Sequence, residues 1–356
     1  METLDKRILP QHQRRFLPPD ERHLGFGDIY ADHMFVMDYY DGQWRKPRLS
    51  PFAPLSLSPA AMGLHYGQLM FEGLKCYRRQ DGQLALFRPK DNFKRMGRTA
   101  EHLCIPQFDQ NLALSALREL LIVDQNWVPS SPGTSLYIRP FIIATEPHLG
   151  VRPAREYMFL IITGPVGAYY SEGFAPIKIY VEPRYSRVPQ GGLGEVKAAA
   201  NYAASLFAAE EAGKKGYAQL LWLDSREHKY VEEVGSMNMF FVIDDEVITS
   251  PLSGTILPGV TRDSVLTLAR EWGKVSERAL SIDEIIEASQ SGRLQEAFGS
   301  GTAAVISPVG TLHYQGRDFK VGDGAIGPLT QRLYDEIVGI QYGSRPDPHG
   351  WVTLVN

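Results

Sequence analysis

The run Gly191-Gly-Leu-Gly-Glu-Val-Lys-Ala-Ala-Ala-Asn-Tyr202 carries the residue types that covalent carbonyl chemistry needs. A glycine cluster ahead of a lysine cradles phosphate when the lysine directly follows a glycine and a Ser or Thr comes next. Lys197 is followed by Ala198, so that reading fails. The ordinary alternative is a solvated lysine at a helix N-terminus, since lysine is rarely buried. Against it stand the small apolar neighbours Ala198, Ala199 and Ala200 and the lack of an acid to pair the amine. Such a setting predicts a desolvated, partly neutral amine, the form that attacks carbonyl carbon.

The rest of the chain sets limits on what that lysine serves. Its 356 residues suggest two domains, and 44% hydrophobic content supports a normal core. With a net charge of −4, nothing suggests a nucleic-acid footprint or a basic membrane-binding face, and small molecules are the expected partners. Cys76 and Cys104 are too few for a disulfide framework, and the nine histidines show no metal-ligand spacing. Both cysteines are expected to be reduced and buried. No apolar leader opens the chain, and Glu2, Asp5 and Asp20 break the acid-poor pattern of a transit peptide. No run is long enough to span a bilayer, so the expected location is cytoplasmic.

The elements that must position the lysine follow from periodicity. The first twenty residues read as an extended arm. Strands are expected at Met34–Met37, Leu84–Phe87, Ser135–Ala144 and Tyr157–Thr163, with helices over Pro89–His102 and Leu112–Asn126. Gly164 to Pro176 reads as a linker. Beyond it, strands are expected at Ile177–Val181, Gln219–Leu223, Ser236–Ile243 and Glu246–Thr249. Helices are expected over Ala198–Ala212, from near Thr261, from near Ile282 with a Ser281/Glu284 capping box, and over Pro328–Tyr342. The fold class is α+β. Residues 1–164 form an N-terminal domain, 165–176 a linker and 177–356 a C-terminal domain.

Several motifs stand in a fixed order: His65-Tyr66-Gly67, Phe71-Glu-Gly-Leu-Lys75, Phe87-Arg-Pro89 and Tyr137-Ile-Arg-Pro140. After Lys197 come Asn201-Tyr202, Glu233-Val-Gly-Ser-Met-Asn238, Leu257-Pro-Gly-Val-Thr-Arg262 and Gly299-Ser-Gly-Thr-Ala303. This set, from about Gly25 to Gly343, resembles the branched-chain aminotransferases of the fold-type IV class of pyridoxal 5′-phosphate (PLP) enzymes. The resemblance implies a smaller α/β N-terminal domain, a larger C-terminal PLP-binding domain with a barrel-like sheet, and a homodimer.

It also implies roles. Lys197 carries PLP as a Schiff base and moves the proton between Cα and C4′. Glu233, rather than its neighbour Glu232, pairs with the pyridine nitrogen. Tyr202 donates to the phenolic oxygen. Arg95, with Arg88 and Arg98 as competitors, binds the phosphate together with Val260, Thr261 and Thr302 at a helix N-terminus and a turn. Thr302 and Ala303 offer N–H groups to the substrate α-carboxylate. Tyr30, Tyr66, Phe71, Tyr137 and Tyr169 form an aromatic side-chain pocket, and Arg139 reaches a γ-carboxylate indirectly or through a tyrosine hydroxyl.

The implied reaction moves an amino group between leucine, isoleucine or valine and 2-oxoglutarate. Burial gives about 0.8 kcal/mol per methylene, so the three are poorly separated. Two features depart from the family: the Cys-x-x-Cys pair that some members carry after the Ser-Gly-Thr-Ala turn is absent, and Ala198–Ala200 replaces glycines. Competing readings are a D-amino-acid aminotransferase, an aminodeoxychorismate lyase, and a non-catalytic PLP-binding protein.

Overall fold

A computed structural model describes residues 3–18, 20–167 and 173–355. The chain divides into two compact units. One comprises Met1–Tyr169, Val196–Ala200 and Gly339–Asn356, the other Tyr170–Glu195 and Asn201–Val338. The short Lys197 segment and the C-terminal tail thus pack with the first unit, whereas the sequence reading kept both with the second half.

The first unit is built on one sheet. Its strands in chain order are β1 (Asp5–Lys6), β2 (His33–Tyr40), β3 (Gln43–Pro51), β4 (Leu69–Phe71), β5 (Leu74–Arg78), β6 (Leu84–Phe87), β7 (Ser135–Ala144) and β8 (Tyr157–Val166). The spatial order is β1-β3-β2-β8-β7-β5-β6, with Val352–Leu354 on β6 and β4 on β7. Asp41 and Gly42, both at positive φ, close the β2–β3 hairpin. An Asp-Gly pair is a strong hairpin signal, yet β3 was not anticipated.

Helix α1 (Met62–Tyr66) is a single turn, while α2 (Pro89–His102) and α3 (Gln110–Val123) cover one sheet face. Proline opens α2 and Asp109 caps α3, accepting from Asn111 and Leu112 N–H at 2.8 and 3.1 Å. The α3 pattern was expected to run to Asn126, but it stops at Val123 and residues 125–127 form a 3₁₀ turn.

Strand alternation sorts the two faces. Leu136, Ile138 and Ile142 join Phe93, Met96 and Leu117 in the core under the helices. Tyr137, Arg139 and Phe141 of the same strand point the other way. Cys76 lies in this core, where burial pushes its thiol up to about 12, but Cys104 is exposed, against expectation. Strand β8 continues to Val166, so the first residues of the anticipated linker are strand, and residues 168–172 lie outside the described residues.

The N-terminal arm is strapped rather than merely extended. β1 runs parallel to β3. The Leu9 N–H donates to His33 Nε2 at 2.9 Å, which makes Nε2 an acceptor. His33 Nδ1 therefore carries the proton and donates it to Asp124 at 2.6 Å, with both side chains buried. Arg15 and the Trp127 indole both donate to Asp32.

The second unit closes six strands into a ring. Its strands are β9 (Ile177–Glu182), β10 (Gln219–Leu223), β11 (Val231–Val234), β12 (Met237–Ile243), β13 (Glu246–Thr249), β14 (Lys274–Glu277), β15 (Leu294–Gly301), β16 (Val305–Tyr314) and β17 (Arg317–Lys320). The order β11-β10-β9-β16-β15-β12 returns to β11 through the β11–β12 pair, giving a barrel. Ile179, Val181, Leu221, Val234, Met239 and Ala297 share its apolar core. The helices are α4 (Ala199–Gly213), α5 (Val260–Trp272), α6 (Ile282–Gln290) and α7 (Pro328–Tyr342). Ser281 caps α6, accepting from Glu284 N–H at 3.1 Å. The mixed α/β architecture with a barrel-like sheet agrees with the fold expected from the motifs. Among the described residues, no helix is long and apolar enough to cross a membrane.

Removing the acceptor from a buried donor costs more than the bond contributes, since the donor stays desolvated. Asp124→Ala is expected to lower the unfolding free energy by about 3 kcal/mol, read from urea denaturation. A loss under about 0.5 kcal/mol would show that the strap does not depend on this pair.

Candidate active site

Lys197 is held from two sides within the first unit. Its N–H donates to Thr99 Oγ1 at 3.1 Å, and its carbonyl accepts from Phe71 N–H at 3.2 Å. Ala198 bridges Met70, the middle residue of β4. The amine lies 4.9 Å from the centroid of the Phe71 ring, over its face.

The acid-free setting expected for this lysine is overturned. Glu195 lies two residues away and is exposed, and Glu72 next to Phe71 stands within electrostatic reach of the amine. Glu72 is buried and accepts from Arg95 Nε at 2.7 Å, Arg95 Nη2 at 2.9 Å, Asn92 Nδ2 at 3.1 Å and Gly73 N–H at 3.1 Å. Burial pushes its carboxyl up, but Arg95, Lys197 and Asn92 outweigh that and hold it below the usual range. The spacing 92, 95, 99 puts Asn92, Arg95 and Thr99 on one stripe of α2. Arg95 is thus the buried arginine of this helix, while Arg88, at its N-cap, pairs with Asp91. Glu72, Asn92 and Thr99 were not singled out beforehand. The motif Phe71-Glu-Gly contained Glu72, but only the fold brings it to α2.

The opposite sheet face supplies a cavity of about 110 Å³ lined by Phe26, Tyr30, Tyr137, Arg139, Ile162 and Gly164, among others. Arg139 Nη2 donates to Tyr137 Oη at 2.9 Å, and its guanidinium lies 4.5 Å from the Phe71 ring centroid. Gly73 is required here, since a Cβ would fall 2.2 Å from Tyr137 Oη. Of the anticipated pocket residues, Tyr30, Tyr137 and Arg139 meet in this cavity and Phe71 touches Arg139. Tyr66 is not in its lining; it is partly exposed and donates to the Leu149 carbonyl. Tyr169 lies outside the described residues. Phe26, packed edge-on against Tyr137 at 5.0 Å, was missed because one aromatic near a glycine gives no signal.

The second unit gathers the remaining candidates. The tight turn at Gly235 and Ser236 puts Glu233 opposite Asn238 across β11 and β12. Glu233 Oε1 accepts from Leu257 N–H at 2.9 Å and Asn238 Nδ2 at 3.2 Å, and Arg187 Nε lies 3.1 Å from Oε2. Gly259 precedes α5, and a Cβ there would fall 2.1 Å from Asn238 Oδ1. The N–H groups about Val260 and Thr261 lie at the positive end of the α5 dipole, which attracts anions. Thr302 and Ala303 lie in the β15–β16 turn, and Tyr202 is half-buried in the first turns of α4. A lysine amine, an acid backed by an arginine, and helix-end donors are the donor set that a phosphorylated pyridine aldehyde requires, so these residues fit PLP.

Fold and donor set define a PLP enzyme, and residues 69–312 match the amino-transferase class IV family. The chain is 52% identical over 339 residues, 95% of its length and 93% of the relative's, to branched-chain-amino-acid aminotransferase 2 of Bacillus subtilis. The Escherichia coli branched-chain amino acid aminotransferase structure superposes with a TM-score of 0.76 at 28% identity, covering 91% of this chain and 99% of that one. A branched-chain enzyme from T.th., solved with pyridoxamine 5′-phosphate, gives 0.73 at 29% identity, covering 90% and 98%. This chain belongs to the branched-chain-amino-acid aminotransferases, and PLP is its cofactor.

Glu232, beside Glu233, is buried with Oε2 lacking a hydrogen-bond partner. Burial pushes its carboxyl up to about 7. The folded state therefore holds this proton more tightly than the unfolded chain does, with its carboxyl near about 4.3. Stability from this group is present at low pH and lost as pH rises from about 4.3 through about 7. Glu232→Gln is expected to flatten that part of the Tm-versus-pH curve of the apoprotein. An unchanged slope would place the titration elsewhere.

Proposed function

We propose that the chain exchanges the amino group between leucine, isoleucine or valine and 2-oxoglutarate, with Lys197 as the residue that carries PLP. The observation that carries this reading is the Phe71 ring, which contacts the Lys197 amine and the Arg139–Tyr137 pair together. A reactive amine and a carboxylate-binding pair are thus within one substrate length of each other. The T.th. enzyme has been solved with 4-methylvaleric acid and with N-(5′-phosphopyridoxyl)-L-glutamate, an aliphatic acid and a glutamate adduct. This chain's pocket suits the same pair of side chains.

When bound, PLP supplies an electron sink for negative charge at the substrate Cα. With PLP bound, Lys197 Nζ would hold the cofactor and would serve as the base for the substrate Cα proton. Glu233, with the Arg187 charge behind it, holds the proton on the ring nitrogen. Tyr202 donates to the phenolic oxygen. Arg95, the N–H groups of Val260 and Thr261, and the Thr302 hydroxyl hold the phosphate. N–H groups of Thr302 and Ala303 orient the α-carboxylate.

Tyr137 Oη already accepts from Arg139, which leaves its own proton to donate. A γ-carboxylate can therefore be bound by Tyr137 and Arg139 jointly, while Tyr30 and Phe71 bury an aliphatic chain. Tyr66 is proposed as a further wall of the substrate site. The exposed apolar residues Leu64, Tyr66, Leu149 and Val151 suit burial against a second copy, in support of a homodimer.

Lys197→Ala is expected to abolish transamination, measured by glutamate formation from L-leucine and 2-oxoglutarate, while the far-ultraviolet spectrum is unchanged. Borohydride treatment of the wild type is expected to fix the cofactor on the peptide containing Lys197. Label on another lysine, or turnover with D-alanine alone, would overturn the assignment. Arg139→Met is expected to raise KM for 2-oxoglutarate at least about tenfold and to change KM for leucine little. Equal effects on both would remove Arg139 from γ-carboxylate recognition.

A further inference from the structure

We infer that the Ser300 hydroxyl binds the cofactor's phosphate, as a donor additional to those already named. The inference rests on Lys197, Glu233 and the α5 end holding PLP, and deepens that reading. Ser300 is 1% exposed, and its Oγ has no hydrogen-bond partner among the described residues. A hydroxyl taken out of water without a partner is a net cost to the fold. A buried hydroxyl left this way calls for a partner from outside the chain.

Strand register places that partner. Ser300 on β15 pairs with Asn238 on β12, and Asn238 pairs with Glu233 on β11. Gly299 and Gly301 face the barrel interior, where an added Cβ would fall 2.9 Å from Val234 and 3.1 Å from Met237, respectively. Alternation therefore turns Ser300 outward, onto the face that carries Asn238 and Glu233. The three make one row across adjacent strands, about 10 Å from end to end.

The neighbours on that row do not take up the hydroxyl. Asn238 Nδ2 donates to Glu233 and to the Leu257 carbonyl, at 3.2 and 2.8 Å. Ile306, across from Ser300 on β16, is apolar. Phe298, two residues back, is stacked on Phe240 at 5.1 Å with the rings nearly parallel. The turn that leads into α5 lies against Asn238, through Leu257 and Gly259. The positive end of that helix therefore starts beside the residue next to Ser300. With Glu233 on the ring nitrogen, the phosphoester arm is the longest reach of PLP, and the helix end draws it this way.

The test compares wild type with Ser300→Ala. PLP affinity is measured by absorbance titration of the apoprotein, and pyridoxal, which lacks the phosphate, is the control ligand. Ser300→Ala is expected to weaken PLP binding about tenfold, the effect of one hydrogen bond to a charged group. Pyridoxal affinity is expected to stay at the wild-type value. The apoprotein Tm of the variant is expected to equal or exceed that of wild type, because an unpartnered buried hydroxyl is gone. A hydroxyl that only braced the fold would give the opposite sign.

Unchanged PLP affinity overturns the inference, as does an equal loss for PLP and pyridoxal. A lowered apoprotein Tm, or a variant that does not fold, overturns it too, since the hydroxyl then has a partner within the chain. Borohydride labelling of the wild type separates the two levels. Label on Lys197 with undiminished PLP binding in Ser300→Ala refutes this inference alone, whereas label on another lysine refutes the reading beneath it.

Discussion

The carboxylate of Glu72 has been taken almost wholly out of water, at a desolvation cost that only close cations and donors offset. Arg95 meets most of that need from α2, Asn92 one turn earlier adds a donor, and the Lys197 amine adds charge. Around this interaction the first unit has little freedom. Helix α2 must present residues 92, 95 and 99 to β4, and Phe71 must sit beside the carboxylate. Gly73 must leave room for the Tyr137 hydroxyl. One ion pair thereby sets the placement of Lys197 and, through the Phe71 ring, of Arg139.

The second unit solves a related problem by hairpin register. A two-residue turn puts Glu233 across from Asn238, and Asn238 then ties the loop before α5 to the same acid. A glycine at position 259 is the only residue that lets this loop lie on the Asn238 side chain. Acid, loop and helix end are thereby held as one piece, so a shift of strand pairing by one residue would dismantle all three.

Much of this was legible in the sequence, for identifiable reasons. Helix α2 and the strands at 84–87, 135–144, 219–223 and 246–249 carry strong local signals, such as proline at a first turn or unbroken apolar runs. Lys197, Glu233 and the Gly259–Thr261 turn stand out through motif order. What the sequence hid is long-range. Glu72 lies 23 residues from Arg95, and nothing local says that they meet. The small-residue setting of Lys197 suggested an isolated amine, because the acid that matters arrives from another strand. β15 and β16 escaped notice because their glycines, serines and prolines blur the two-residue alternation.

The closed ring also bears on how copies of this chain behave when crowded. Ring closure leaves the barrel strands few unpaired edges, and the sheet ends in β14 and β17, four residues each. Their sequences, Lys274-Val-Ser-Glu277 and Arg317-Asp-Phe-Lys320, put a charge at every end. A strand from another molecule that tried to extend the sheet would find a short template and would have to strip water from those charges. The architecture that sets Glu233 opposite Asn238 thus also makes the unit a poor seed for intermolecular β-pairing.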